Sequence, residues 1–314
     1  MLPQTDITEN ALTNMKTQHF LTLDDLPSHT LKGLIDRAID LKASTKRGEL
    51  YEPLKNKSLA MIFSKSSTRT RVSFEVGMRQ LGGSAINLNP SDTQIGRGEP
   101  VADTAKVISS MVDGIMIRTS AHSHIEEFAN NSAVPVINGL TDDFHPCQLL
   151  ADLQTLYELR GNLKGCRVAW VGDGNNVCHS WMNAARLFEF SLAIATPRGF
   201  GPSKALCDTN SKHVTVGVDP KAAVENADVV VTDTWASMGH ELEKTERLSA
   251  FENYCVDDGL MALASRDAVF LHCLPAYRGM EVTRSVIEGP QSAVFQEAEN
   301  RLHAQKSLLE YLLS

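Results

Sequence analysis

From Leu59 onward, short apolar runs alternate with longer amphipathic ones. Residues 59–63 (Leu, Ala, Met, Ile, Phe) read as a strand buried on both faces, because no alternate position is polar. Residues 67–81 then read as a helix. Phe74, Met78 and Leu81 share one face, and Gly82-Gly83 supplies a stop. The rhythm continues with a strand at 85–88, a helix at 101–111, a strand at 114–117, a helix at 122–130 and a strand at 134–137. A long helix starts at Pro146. It carries Leu149, Leu150, Leu153, Leu156 and Tyr157 at helical spacing and ends at Gly161. The alternation restarts with strands at 167–171, 191–195, 228–232 and 269–271 and helices at 177–190 and 220–226. A final helix from about 291 to 313 carries Val294, Ala298, Leu302, Leu308 and Leu309. Strands separated by helices predict parallel sheets covered on both faces. The expected fold is α/β, with two similar-sized three-layer domains, each a mostly parallel sheet flanked by helices. Their spans are 1–148 and 149–290, joined by the helix after 146, and the C-terminal helix 291–314 returns to the first domain.

Charge and cysteine usage narrow the function. A net charge of −8 argues against gripping a nucleic-acid backbone, though a local basic pocket for a small anion is compatible with it. The six cysteines, at 147, 166, 178, 207, 255 and 273, form no Cys-x-x-Cys pair, so reduced thiols are expected rather than a zinc knuckle or disulfide framework. No apolar stretch reaches the roughly 20 residues of a membrane helix. Residues 1–16 are polar, lack the apolar core of a signal peptide, and read as a loose tail. A cytoplasmic enzyme or binding protein is expected.

Ligands of open α/β sheets gather at the carboxyl ends of strands, and the informative segments lie there. Ser67, Thr68, Arg69 and Thr70 stand where a strand gives way to a helix. Free backbone N–H groups, hydroxyls and a guanidinium fork at such a turn suit a phosphate. The spacing is not that of a Walker loop. A helix cap with solvated arginines is the plainer alternative. His145-Pro-Cys-Gln148 opens the long helix with proline in its first turn, so His145 and Gln148 point the same way, although a histidine here can also be a cap. Asp233, followed by Thr-Trp-Ala-Ser-Met-Gly239, sits at a strand end where it could hold a cation or cap a helix. Cys273, in His272-Cys-Leu-Pro275, could be a nucleophile, a polar lining or an inert buried thiol. Adjacent residues of a strand face opposite sides, which weakens a Cys–His pair or a shared zinc site. The turn 171–176 (Val-Gly-Asp-Gly-Asn-Asn) resembles a dinucleotide loop, but Val177 breaks the glycine spacing. Asn175 and Asn176 instead offer amides at a helix start.

In this order, the segments resemble the ornithine branch of the aspartate/ornithine carbamoyltransferase family, from about Leu21 to the C-terminus. Ser-Thr-Arg-Thr-Arg at 67–71 and His-Pro-x-Gln mark the wider family. Asp-x-x-x-Ser-Met-Gly at 233–239 and His-Cys-Leu-Pro mark the ornithine branch. The stretch between Arg278 and Glu281 is short where some relatives carry an insertion. The resemblance implies that Ser67, Thr68, Arg69, Thr70, Arg118, His145, Pro146, Cys147, Gln148, Cys273, Leu274 and Arg301 hold carbamoyl phosphate, with Gln94 joining them across a subunit boundary. It implies that Asn176, Asp233, Ser237 and Met238 bind L-ornithine, and that Arg118, His145, Asp233 and Cys273 serve the chemistry. It further implies a homotrimer or a multiple of trimers, with no metal and no organic cofactor. Competing expectations are a carbamoyltransferase for putrescine or an acetylated ornithine, a nucleotide-dependent oxidoreductase using the 171–176 turn, and a non-catalytic binding protein.

Overall fold

The computed structural model describes residues 17–89, 98–235 and 244–314. A 3-10 turn at Leu23–Asp25 precedes α1 (Ser28–Lys46), β1 (Ser58–Phe63), α2 (Thr68–Gln80), β2 (Ser84–Leu88) and α3 (Val101–Ser109). The first half continues with β3 (Gly114–Arg118), α4 (His122–Asn130) and β4 (Val136–Leu140), and α5 (Pro146–Arg160) leads out of it. The second half begins with β5 (Arg167–Val171), α6 (Asn176–Phe188), β6 (Ser191–Ala195), α7 (Lys204–Thr209) and β7 (Val214–Gly217). It goes on through α8 (Pro220–Val224), β8 (Val229–Thr232), α9 (Lys244–Ala250), α10 (Asp258–Met261), β9 (Val269–His272) and α11 (Arg284–Ile287). The last helix, α12 (Val294–Leu313), packs on α1, α2 and α5, so it returns to the first half as expected.

Most elements lie within a few residues of their expected limits. Helix α1 was not anticipated, although Leu31, Leu34, Ile35, Ala38 and Leu41 recur at helical spacing and are all buried. Strand β7 was also missed: beyond Val214 its residues are exposed, so an edge strand left little apolar signal. The polar segment 1–16 and the site candidates Gln94, Ser237 and Met238 fall outside the described residues.

Both sheets are parallel, in the orders β2-β1-β3-β4 and β7-β6-β5-β8-β9. Each order reverses direction once, between β1 and β3 in the first sheet and between β5 and β8 in the second. Successive connections leave such a point on opposite faces and open a crevice at the strand ends. One apolar core runs through both halves, from Leu59 and Phe74 to Trp170, Trp181 and Leu271. Separate cores cover the other face of each sheet, around Ile115 and Ile125 in the first and around Phe251 and Phe270 in the second.

Helix α5 runs between the halves and is buried on every face from Pro146 to Leu156. Its polar residues Gln148, Asp152, Gln154 and Thr155 therefore need partners inside the protein. Gly161 ends α5 at φ +74°, a conformation glycine adopts without strain, and its N–H caps the Tyr157 carbonyl. All six cysteines are free. No helix among the described residues is long and apolar enough to cross a membrane.

Candidate active site

The first switch point is built from the ends of β1 and β3. Strand register sets Arg118 opposite Phe63, so Arg118 stands beside the turn into α2. Ser67 caps α2 in an extended conformation, and its Oγ accepts from the Thr70 N–H at 3.4 Å. The remaining first-turn N–H groups of α2 have no intrahelical acceptor and present the positive end of the helix dipole. Arg69 lies on this turn and reaches across the crevice, where its guanidinium donates to the Leu274 carbonyl beyond β9. The turn after β1 therefore faces the opposite half, and Arg69 spans the gap.

Arg301 enters the same place from α12. It is buried and donates to Gln148 Oε1 at 2.6 Å and Thr70 Oγ1 at 3.3 Å. No carboxylate among the described residues forms an ion pair with Arg69, Arg118 or Arg301. Burial, with Arg301 and Arg69 nearby, lowers the Arg118 guanidinium to about 10, which leaves it charged at neutral pH. Burial and the same three arginines push His145 well below the usual imidazole range, so it is neutral. The His145 backbone N–H donates to Ser180 Oγ at 2.8 Å, while its side chain makes no capping bond and Nδ1 is buried without a partner. His145 is thus the N-cap residue of α5 by position, yet its ring is left for something else. Pro146 and Cys147 occupy the first turn of α5. The Cys147 thiol donates to the Asn138 carbonyl at 3.3 Å and burial pushes it up to about 12, so its side chain is a packing element.

The second switch point supplies an acidic and amide-rich wall. Asn175 caps α6, accepting from the Val177 and Cys178 N–H groups at 3.0 and 3.1 Å. Its amide donates to Asp233 Oδ2 at 2.8 Å. Asn176 donates to the Thr141 carbonyl of the first half at 2.6 Å, tying the two sides together. Gly174 packs against the 201–202 backbone so closely that a Cβ would lie 2.2 Å from Pro202 N. Gly174 therefore serves chain packing.

Asp233 Oδ1 accepts from the Thr234 N–H at 2.7 Å and from Cys273 Sγ at 3.1 Å. Burial and the Asp233 carboxylate hold the Cys273 thiol well above its usual range. Of the three sequence-level roles for Cys273, a polar lining group fits this protonated thiol, and a thiolate nucleophile does not. The opposite-face expectation for His272 and Cys273 needs amending. Strand β9 ends at His272, so strict strand alternation does not extend to Cys273, and the ligating atoms of Asp233, His272 and Cys273 lie within 4.8 Å of one another; Leu274 adopts φ +56° just beyond. Both His272 nitrogens are nonetheless committed: Nδ1 accepts from the Leu274 N–H at 2.9 Å and Nε2 lies 3.1 Å from Glu281 Oε1. Glu281 also accepts from the Tyr277 N–H at 2.6 Å, so a buried His–Glu brace shapes the Cys273–Leu274 turn.

The described site candidates thus gather around one crevice, three guanidiniums and a neutral imidazole on one side, Asp233, Asn176 and Cys273 on the other. The carbamoyl-phosphate-binding domain model of the aspartate/ornithine carbamoyltransferases matches residues 18–158, and the Asp/Orn-binding domain model matches residues 164–312. The chain belongs to this family. An ornithine carbamoyltransferase of Methylococcus capsulatus is 62% identical over 300 residues, covering 96% of this chain and 100% of the relative. One of Nitrosococcus oceani is 60% identical, covering 95% and 98%. Among solved structures, the ornithine carbamoyltransferase of Pyrococcus furiosus superposes with a TM-score of 0.91 at 44% identity, covering 96% of this chain and 99% of that one.

Within this family member, two site residues escaped sequence reasoning. Asp152 and Glu297 are buried and bond to Gln148, at 2.7 and 2.8 Å. A signal was available: each stands one helical turn from a predicted site residue, Asp152 after Gln148 and Glu297 before Arg301.

Proposed function

We propose that the protein transfers the carbamoyl group of carbamoyl phosphate to the side-chain amine of L-ornithine, releasing L-citrulline and phosphate. The observation that carries this reading is the opposition of two switch points. One concentrates Arg69, Arg118, Arg301 and a helix N-terminus with no direct carboxylate ion pair among the described residues, an arrangement that suits a phosphate dianion. The other offers Asp233 beside Asn175 and Cys273, suited to an amino group. The carbamoyl-phosphate-binding family model and the names of the relatives above support the same pair of substrates.

In the proposed reaction the neutral amine attacks the carbamoyl carbon, forming the C–N bond. Negative charge builds on the carbamoyl oxygen, where Arg118, Thr70 and the neutral His145 donate hydrogen bonds. The bond from carbon to the phosphate oxygen then breaks. Arg69 and the start of α2 stabilise the departing phosphate, which accepts the proton lost by the amine. An alkyl amine with a pKa of about 10 is mostly protonated in water. Burial in the crevice favours its neutral form. Residues 1–148 with 291–314 hold carbamoyl phosphate in this reading, and residues 149–290 hold ornithine, with Gln94, Ser237 and Met238 contributing as the resemblance implies.

We assign the assembly as a homotrimer or multiple of trimers in the cytoplasm. Support for a subunit contact comes from β2, an edge strand with Ile86 exposed, and from exposed Val72 and Met111 in the same half. The word "anabolic" in the name of a 54% identical Pseudomonas savastanoi relative supports a biosynthetic direction.

Purified protein mixed with carbamoyl phosphate and ornithine is expected to yield citrulline and phosphate in equal amounts. Ornithine should exceed putrescine, which lacks the carboxylate, by about ten-thousandfold in kcat/KM, since a site built to hydrogen-bond a polar group rejects an analogue lacking it, and it should also exceed N-acetylornithine. Carbamoylation of putrescine in preference would reassign the substrate, and no transfer to any amine would remove the enzymatic reading.

A further inference from the structure

Behind the arginines lies a buried acidic pair with no place in the mechanism above. Asp152 on α5 and Glu297 on α12 are each about 1% exposed. A single nitrogen, Gln148 Nε2, donates to Asp152 Oδ1 at 2.7 Å and to Glu297 Oε1 at 2.8 Å. The two carboxyls thus meet at one amide nitrogen, and the charge on Asp152 opposes ionisation of Glu297. Two carboxylates so close and so dry cannot both ionise, so the pair keeps a proton between them.

The partners run outward in two directions. Gln148 Oε1 accepts from Arg301 Nη1 at 2.6 Å, and Arg301 Nη2 donates to Thr70 Oγ1 at 3.3 Å at the start of α2. Glu297 Oε2 accepts from the His272 backbone N–H at 3.0 Å, one residue before Cys273. The acid pair therefore sets which way the Gln148 amide points, steadies Arg301, and ties the end of β9 to α12. The charged and titratable groups facing it are Arg301 from α12 and Cys273 from beyond β9. Strand β9 adds the His272 N–H, and α6 presents Trp181.

We propose that Asp152 and Glu297 form a proton-sharing positioning pair that holds Gln148 and Arg301 in register for carbamoyl phosphate and makes the affinity for that ligand depend on the pair's protonation. This rests on the carbamoyl phosphate reading given above. Burial raises both carboxyls, Asp152 to about 7, which brings the exchange of a proton into the neutral range. A bound dianion close to Arg301 and Thr70 makes the pair harder to ionise, so binding draws a proton in. By linkage, affinity then falls as pH rises through the pair's titration.

The test is calorimetric titration of carbamoyl phosphate into the full-length protein between pH 6 and pH 9, comparing wild type with D152N/E297Q. The isosteric amides preserve shape and cannot titrate, while the ligand's own ionisation is common to both proteins. The ratio of wild-type to variant Kd is expected to rise about tenfold across this range, one linked proton permitting at most tenfold per pH unit. Either single isostere, D152N or E297Q, keeps one titrating acid and should show the rise displaced in pH, which serves if the double variant does not fold. A ratio constant within about twofold in the double variant, or single variants that track wild type at every pH, would overturn the pair's role. Absence of carbamoyl phosphate binding by the wild type would instead overturn the substrate reading, and this inference with it.

Discussion

Replacing Arg69 with alanine is expected to lower kcat/KM for carbamoyl phosphate about a thousandfold, equivalent to about 4 kcal/mol of transition-state stabilisation. Arg69 supplies a planar fork at the N-terminus of α2, where the leaving phosphate gains charge as the bond to carbon breaks. Removing one preorganised donor of this kind costs about 3–4 kcal/mol in other enzymes. Arg69 also donates to the Leu274 carbonyl across the crevice, so its loss slackens the contact between the halves. Lysine at this position keeps the charge without the fork and should recover only part of the loss. Steady-state kinetics with carbamoyl phosphate as the varied substrate measure the effect. Near-normal constants for Arg69→Ala would mean that the phosphate sits elsewhere.

Asp233→Ala should produce the complementary defect. Its carboxylate is held by Asn175, Cys273 and the Thr234 N–H, all on the second half of the molecule. Alanine removes the acceptor facing the amino acid and leaves the arginine cluster intact. The expected result is a fall of about a hundredfold in kcat/KM for ornithine, in the range for a charged hydrogen-bond partner, with the carbamoyl phosphate Kd changed less than about threefold. Kinetics with ornithine varied, together with calorimetry for carbamoyl phosphate alone, separate the two terms. Equal damage to both ligands would contradict the division of labour between the switch points.

How far these assignments were legible in advance depended on how each residue reports itself. The strands at the site, β1, β3, β5, β8 and β9, are unbroken apolar runs buried on both faces, so periodicity located them and their ends marked the crevice. Helix α5 was visible from its leucines, but leucine spacing alone does not reveal that the helix is buried all round. That burial turns Asp152 from an ordinary helix carboxylate into a member of a coupled pair, and its partner Glu297 lies 145 residues further along the chain. The one-turn spacing to Gln148 and Arg301 marks each residue singly, but no local pattern announces that the two meet. The state of Cys273 was equally hidden, because it depends on burial and on Asp233 meeting it across two strand ends. Edge strand β7 offers too little apolar contrast to be seen, whereas α1 carries its buried residues at helical spacing from Leu31 to Leu41.

The central claim, a dianion gripped where β1 passes into α2, is tested most directly by a crystal structure with carbamoyl phosphate bound. The phosphate oxygens should lie within hydrogen-bonding distance of the Thr68 and Arg69 backbone N–H groups and of the Arg69 guanidinium, with Arg118 and His145 directed at the carbamoyl oxygen. A ligand bound away from this turn, with Arg69 still donating to the Leu274 carbonyl, would contradict the account.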